Sequence, residues 1–291
     1  MRPHIEAFFD SATSTVSYLI ADPATRAAAI VDPVLDYDPH AGHTSTKSAD
    51  AVLEAAKRGD FKIDWILETH AHADHLSAGA YLRDKTGAKI VIGELITHTQ
   101  AIFAGIYNLK GFKADGADFD RLVKDGDTVK LGSLAIEVLF TPGHTPACVS
   151  YKIADAVFVG DTLFMPDYGT ARTDFPGGDA AALYRSIKRI LSLPGETRLF
   201  MCHDYKCAGR DHYAWESTVA EQRAKNIHIK DGVGEAAFVA MRTARDKTLG
   251  KPVLILPSVQ VNIRAGRLPA PDDNGVAYLR IPLNALPVHG G

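Results

Sequence analysis

The segment Glu68-Thr69-His70-Ala71-His72-Ala73-Asp74-His75 sets three histidines and an aspartate within six positions, directly behind the apolar run Ile63 to Leu67. A His-x-His-x-Asp-His string is a spacing that metal ions require, because imidazole nitrogens and a carboxylate must converge on one point. The competing reading is a hydrated turn that happens to be rich in histidine. The first reading asks for further ligands elsewhere in the chain.

The order of the other segments supplies them. Ile5 to Phe9, Val16 to Ile20 and Ala27 to Val31 are short β-like runs parted by turn formers, among them Asp22-Pro23 and Asp32-Pro33, so the chain opens as an antiparallel meander. Ser48 to Arg58 repeats Ala49, Val52, Leu53 and Ala56 at helical spacing and stops at Gly59, after which Ile63 to Leu67 reads as a buried strand running into the string. Asp74 is placed to start a helix from His75 to Lys85 that Gly87 ends, which would hold the string in a strand-to-helix loop. Glu94 to Asp120 reads as a mixed helical stretch followed by a surface excursion rich in Gly, Lys and Asp. Leu122 to Lys130, around Asp125-Gly126-Asp127, reads as a hairpin. Leu134 to Phe140 is a strand ending in Thr141-Pro142-Gly143-His144-Thr145, and a hairpin of Ala147 to Ile153 with Ala156 to Val159 delivers Gly160-Asp161. Asp179 to Leu191 is an amphipathic helix, and the short strand Arg198 to Met201 leads to His203. Four strand ends thus each offer a metal-binding side chain. Tyr213 to Lys225 and Glu235 to Leu249 read as a helical pair, and Pro252 to Pro287 has no clear period.

A chain of 291 residues, 46% of them hydrophobic, can bury the core of one large α/β domain; we expect a catalytic domain over 1–250 and a C-terminal extension over 251–291 packed on it. A formal charge of -3 gives no basic field for nucleic acid and no polybasic patch for an anionic membrane, so the expected partner is a small molecule. Met1 to Ser14 lacks an apolar signal region, and no stretch reaches the length of a transmembrane helix. Cys148, Cys202 and Cys207 form an odd set without an export signal, which makes reduced thiols in a cytoplasm the expectation.

Imidazole and carboxylate donors suit zinc and iron, and the lack of a Cys-x-x-Cys pair speaks against a structural thiolate site and for a catalytic one. His70, His72, Asp74, His75, His144, Asp161 and His203 suffice for two metals bridged by Asp161, or for one metal beside an unused pocket. These strings, from about Ile5 to Tyr205, resemble the metallo-β-lactamase superfamily. The resemblance implies an αββα sandwich, an α/β fold of two mixed β-sheets flanked by helices, with its site in the cleft at one sheet edge. Gly160-Asp161-Thr162-Leu163-Phe164, Ala171-Arg172-Thr173-Asp174-Phe175-Pro176-Gly177-Gly178-Asp179 and His203-Asp204-Tyr205 resemble the persulfide dioxygenase, or sulfur dioxygenase, family. The glyoxalase II family is similar over the first of these but usually carries Glu where Asp204 stands. The dioxygenases commonly have Cys-Gly before the Arg; here it is Thr170-Ala171.

That resemblance implies one Fe(II) per chain on His70, His144 and Asp161, with positions left open for a sulfur anion and O2. It implies glutathione persulfide and O2 as substrates and a homodimer, with His72, Asp74, His75 and His203 as a vacant second metal pocket or as support for the first. The alternative is a binuclear glutathione thioesterase of the glyoxalase II kind, since zinc in the same pocket activates water and nothing more. A non-catalytic metal or thiol sensor is a third reading, which the complete ligand set opposes. Tyr205 reads either as a hydroxyl donor to substrate or as a core tyrosine with a satisfied hydroxyl. Arg172 reads either as a forked clamp on a glutathione carboxylate or as the ion-pair partner of Asp174 or Asp179. Cys202 and Cys207, beside His203, read as inert thiols, and Lys251, Arg264, Arg267 and Arg280 as solvated charges.

Overall fold

The computed structural model describes residues 2–286. Its first half runs β1 (His4–Asp10), β2 (Thr15–Ala21), β3 (Ala27–Val31), β4 (Val34–Asp38), β5 (His43–Ser45), α1 (Lys47–Arg58), β6 (Lys62–Leu67), β7 (Leu76–Ser77), α2 (Gly79–Thr86), β8 (Lys89–Gly93), α3 (Ile96–Ile106) and β9 (Arg121–Val123). The second half runs β10 (Thr128–Leu131), β11 (Leu134–Phe140), β12 (Val149–Ile153), β13 (Ala156–Phe158), α4 (Ala180–Ile190), β14 (Arg198–Phe200), β15 (Glu216–Thr218), α5 (Val219–Lys225), α6 (Glu235–Asp246) and α7 (Ile255–Asn262). One sheet has the order β1-β2-β3-β6-β8-β9, antiparallel at first and parallel from β3 onward; the other has the order β10-β11-β12-β13-β14-β15, antiparallel save for the β13–β14 pair.

Strand alternation explains the layers. In β2, Val16, Tyr18 and Ile20 point between the sheets, where they meet Ile136, Val138, Tyr151 and Phe158, while Leu19 and Ala21 point outward. A strand covered on both faces is buried at every position, as β2 is. On the outside of the first sheet α1 lays down Ala49, Val52, Ala55 and Ala56; on the outside of the second, Leu183, Ile187 and Ile190 of α4 pack on Leu139, Val157 and Leu199. The α/β sandwich is the one expected from the sequence.

Four expectations about elements need correction. Helix α2 begins at Gly79 and not at His75, because the Asp74 carboxylate turns to His203 and His75 and because Leu76–Ser77 pair with β4. Its end is as expected, with Gly87 in the left-handed region at φ 73°. The supposed hairpin at 122–130 is a crossing: β9 pairs with β8 in one sheet and β10 with β11 in the other. Between Tyr213 and Lys225 only α5 is helical, since β15 forms the edge beside β14 and Thr218 then caps α5 through the Glu221 N–H. The segment without a period contains α7, whose Pro257 sits in the first turn, where a missing N–H breaks no helical bond. Residues 287–291 of the expected extension lie outside the described residues.

The layers meet at one end. Val16 N donates to Cys202 O at 2.7 Å and Asp204 N to Ser14 O at 3.1 Å, tying the loop after β14 to the start of β2 in the opposite sheet. Ile187 is fully buried in the outer layer, so Ile187→Ala should cost about 2–5 kcal/mol in urea unfolding; a midpoint equal to that of the parent would contradict this packing.

Candidate metal centre

The loops after β6, β11, β13 and β14 bring the expected ligands into one buried cluster. Asp161 divides it. Its Oδ2 lies 3.9 Å from His70 Nε2 and 3.6 Å from His144 Nε2, whereas its Oδ1 lies 3.4 Å from His203 Nε2. His203 Nε2 is in turn 3.1 Å from Asp74 Oδ2, and the donors of His72, Asp74, His75 and His203 form a second group within 4.8 Å of one another. Two glycines permit the approach of these loops. At Gly160, φ 52°, a Cβ would sit 2.6 Å from Thr69 Oγ1; at Gly143, φ 141°, it would sit 2.3 Å from the Leu183 backbone.

Hydrogen bonds on the far side of each ring decide which nitrogen faces the cluster. Thr69 Oγ1 donates its one proton to Asp32 Oδ2 at 2.8 Å, so toward His70 Nδ1, 2.9 Å away, it accepts. His70 Nδ1 therefore carries hydrogen and Nε2 a lone pair. His144 Nδ1 donates to the Arg172 carbonyl at 2.8 Å and His203 Nδ1 to the Ser14 carbonyl at 3.2 Å, with the same result. His72 is held the other way round, its Nε2 donating to Asp32 Oδ1 at 3.1 Å and its Nδ1 turned inward. His75 directs Nδ1 to Thr15 Oγ1 at 3.3 Å and Asp74 Oδ1 at 3.5 Å.

The atoms left over are His70 Nε2, His72 Nδ1, His75 Nε2, His203 Nε2 and Asp161 Oδ1, all buried and without a hydrogen-bond partner among the described residues. Lone pairs facing one another at such distances repel unless a cation lies between them. A divalent metal with a taste for nitrogen and oxygen satisfies the donors of the group it enters, and zinc and iron(II) both fit the donor set.

The charges around the cluster agree. Burial, and then the neighbouring histidines His72 and His144, push the His70 pKa well below its ordinary value, which keeps the ring neutral and ready to ligate. His75 is pushed down by burial and then by His72. Burial raises the Asp74 carboxyl, but His203 and His75 outweigh it and hold the group well below the usual carboxylate range. Behind His72, two carboxylates part ways. Glu68 is raised by burial, whereas at Asp32 burial is outweighed by His72 and by two hydrogen bonds from Thr69. Burial pushes His72 down, but Asp32 and Glu68 outweigh it and raise the ring well above its ordinary value, so metal binding there displaces a proton.

Asp32 and Glu68 are residues the sequence reading missed. The signal for Asp32 is available, since it follows β3 as a fifth strand end carrying a carboxylate, but Asp32-Pro33 also reads as a turn. Asn262, whose Nδ2 donates to the His72 and His75 carbonyls, carries no signal in the sequence. Tyr205 stacks on His203 at 5.5 Å between ring centroids, and its hydroxyl has no hydrogen bond among the described residues, so the core alternative with a satisfied hydroxyl does not apply. Packing around the ring and then the Asp74 and Asp161 carboxylates raise its pKa, which keeps the hydroxyl protonated. The Arg172 guanidinium is spent: Nε and Nη2 fork onto Asp174, and Nη1 donates to Gly250 O at 2.6 Å. The ion-pair alternative is the contact present, and Arg172 meets the centre through its carbonyl. Asp204 is bound by both Nη atoms of Arg210 and faces away from the ligands. Lys251 pairs with Asp174. Cys202 is buried and its thiol is pushed well up, by burial and then by Asp32 and Asp161, in line with an inert thiol.

A cavity of about 530 Å³ opens from Asp74, His144 and Asp161 to solvent between Tyr205, Tyr168 and Phe164 on one side and 249–254 on the other. Arg245 stands at its mouth, exposed and without an ion pair among the described residues. No described helix is long and apolar enough to cross a membrane. Asp32→Ala should weaken metal binding about 10–100-fold in competition with a chelator, and unchanged affinity would remove Asp32 from the support of His70 through Thr69.

Residues 11–203 match the family model described as the metallo-beta-lactamase superfamily. The chain is 55% identical to a probable metallo-hydrolase of Burkholderia pseudomallei, over 97% of this chain and 99% of that one. It is 50% identical to Glyoxylase B2 of Dictyostelium discoideum over 98% of both, and 31% identical to the human mitochondrial persulfide dioxygenase ETHE1 over 90% of this chain and 88% of that one. It spans 65% of the length of the beta-lactamase hydrolase-like protein of Xylella fastidiosa, at 52% identity over 98% of its own length. Among solved structures, ETHE1 from Myxococcus xanthus superposes with a TM-score of 0.73 at 33% identity, over 91% of this chain and 100% of that one.

Proposed function

Since the chain belongs to the metallo-β-lactamase superfamily, a family of metal-binding sandwich proteins, we propose that it is a persulfide dioxygenase that holds one iron(II) on His70, His144 and Asp161. The reaction is glutathione persulfide plus O2 and water giving glutathione and sulfite. It balances without a further reductant: the S–S bond breaks, the outer sulfur is oxidised, O2 takes up the electrons, and the glutathione thiol keeps one proton. Iron(II), when bound, supplies the redox partner that O2 requires.

The observation that carries the proposal is the sorting of ligands by Asp161. Its Oδ2 completes a two-histidine, one-carboxylate set with His70 and His144, while His72 ties its Nε2 to Asp32 and groups with Asp74, His75 and His203. The protein's own residues do the rest. The Arg172 carbonyl keeps His144 in its ligating tautomer. Tyr205 offers a neutral hydroxyl to the substrate, and Phe164 and Tyr168 line the same side of the cavity. Arg245 takes the carboxylate that Arg172, bound to Asp174, does not reach. A cavity of about 530 Å³ suits a tripeptide thiol. The three cysteines are free, which accords with a cytoplasmic site, and a homodimer belongs to the same proposal.

A second reading has its own support. The orphaned His72, His75, His203 and Asp161 Oδ1 atoms could hold a second metal, and the 50–55% relatives bear hydrolase and glyoxylase names. Both pockets would then serve a zinc thioesterase.

An oxygen electrode distinguishes the two. Iron-loaded protein given glutathione persulfide should consume O2 and form sulfite in equal amounts, and Asp161→Ala should do neither. No uptake by iron-loaded protein, with S-lactoylglutathione hydrolysed by zinc-loaded protein, would overturn the dioxygenase. Arg245→Ala should raise KM for glutathione persulfide about tenfold and leave inorganic polysulfide nearly unaffected; an equal effect on both would remove the anchor.

A further inference from the structure

The extension beyond residue 250 reaches the metal loop through one side chain. Asn262, at the last turn of α7 and 4% exposed, donates from Nδ2 to the carbonyls of both His72 and His75, each at 2.8 Å, and accepts the Ser77 N–H on Oδ1 at 2.8 Å. Three of the four hydrogen bonds an amide can make are thus aimed at one six-residue curl. The first group of ligands is held by other means: His70 through Thr69, His144 through the Arg172 carbonyl.

We propose that Asn262 is a positioning residue for the part of the centre built from His72, Asp74 and His75. Its two donors fix the carbonyls that flank Asp74, and so set the direction from which His72 Nδ1 and His75 Nε2 enter the cluster. No regular hydrogen-bond ladder does this over 68–75, because the string leaves β6 at Leu67 and the short β7 begins only at Leu76. The contact is close-packed: a Cβ on Gly266 would sit 2.6 Å from Ser77 O, and one on Gly79 would sit 3.1 Å from Ala265 O. The segment feeding α7, residues 249–254, is also a wall of the cavity, so one stretch of chain shapes both the substrate space and the metal loop. The inference rests on the ligand positions alone and stands whether the centre oxidises or hydrolyses.

The test uses protein loaded with two equivalents of cobalt(II), so that the group of His72, Asp74, His75 and His203 is filled besides that of His70, His144 and Asp161. Asn262→Asp keeps the size and the acceptor but loses both donors; Asn262→Ser keeps a single donor; Gln260→Ala loosens the same helix by freeing Arg280, which Gln260 binds on both backbone groups, without touching the loop. For Asn262→Asp we expect the visible cobalt bands to shift, metal to pass to a chelator about tenfold faster, and hydrogen exchange to rise over 72–78 only. Asn262→Ser should fall between it and the parent, and Gln260→Ala should leave cobalt bands and release unchanged. A folded Asn262→Asp protein with parental spectrum and release would overturn the proposal. So would Gln260→Ala reproducing the same changes, which would make the effect one of helix packing.

Discussion

The centre depends on a hydrogen bond that no metal takes part in: the one on the far nitrogen of each ring. A histidine in a dry cluster can present either a proton or a lone pair, and an isolated ring does not fix which. The carbonyls of Arg172 and Ser14, the Thr69 hydroxyl made an acceptor by Asp32, and Asp32 itself at His72 remove that choice. What remains is a set of inward nitrogens, lone pairs save at His72, whose proton a metal displaces, and none of them has another partner among the described residues. A fold that brings such acceptors from the ends of β6, β11 and β14 to either side of Asp161 has already gone far toward a metal site.

The sandwich meets that demand because its loops gather at one end and its two sheets are tied there. The Val16–Cys202 and Asp204–Ser14 bonds cross from one sheet to the other beside His203. Helices then close the rim: α3 and α7 share a small apolar cluster of Phe103, Tyr107, Ile255, Val259 and Ile263 with Ala73 of the loop and Phe175. Support for the ligands thus comes from both sheets and from α7, and the cavity is bordered by the same pieces.

Much of this can be read in the sequence, for a physical reason. Metal donors must be histidine or carboxylate, and strand ends must be short, so His70, His144, Asp161 and His203 announce themselves by residue type behind apolar runs. What fails to show are residues whose role depends on partners far away in the chain. Asp74 has the look of a helix cap and is instead held by His203 and His75. The Asp125-Gly126-Asp127 turn has the look of a hairpin, yet the strands on either side of it belong to different sheets. Asn262 lies 185 positions from its Ser77 partner inside a stretch with no period. Arg172 shows how a side chain and a backbone group of one residue can part ways: the guanidinium is bound to Asp174, and the carbonyl is the part that meets His144.

Metal identity separates oxidation from hydrolysis on one and the same scaffold, which makes X-ray absorption at the metal edge of the purified, active protein the most direct test. The expected spectrum is that of iron with mixed nitrogen and oxygen ligands, imidazole scattering included, and no metal–metal feature. A zinc edge with a second zinc nearby, in protein whose activity tracks zinc content, would contradict the dioxygenase and leave a binuclear hydrolase in its place.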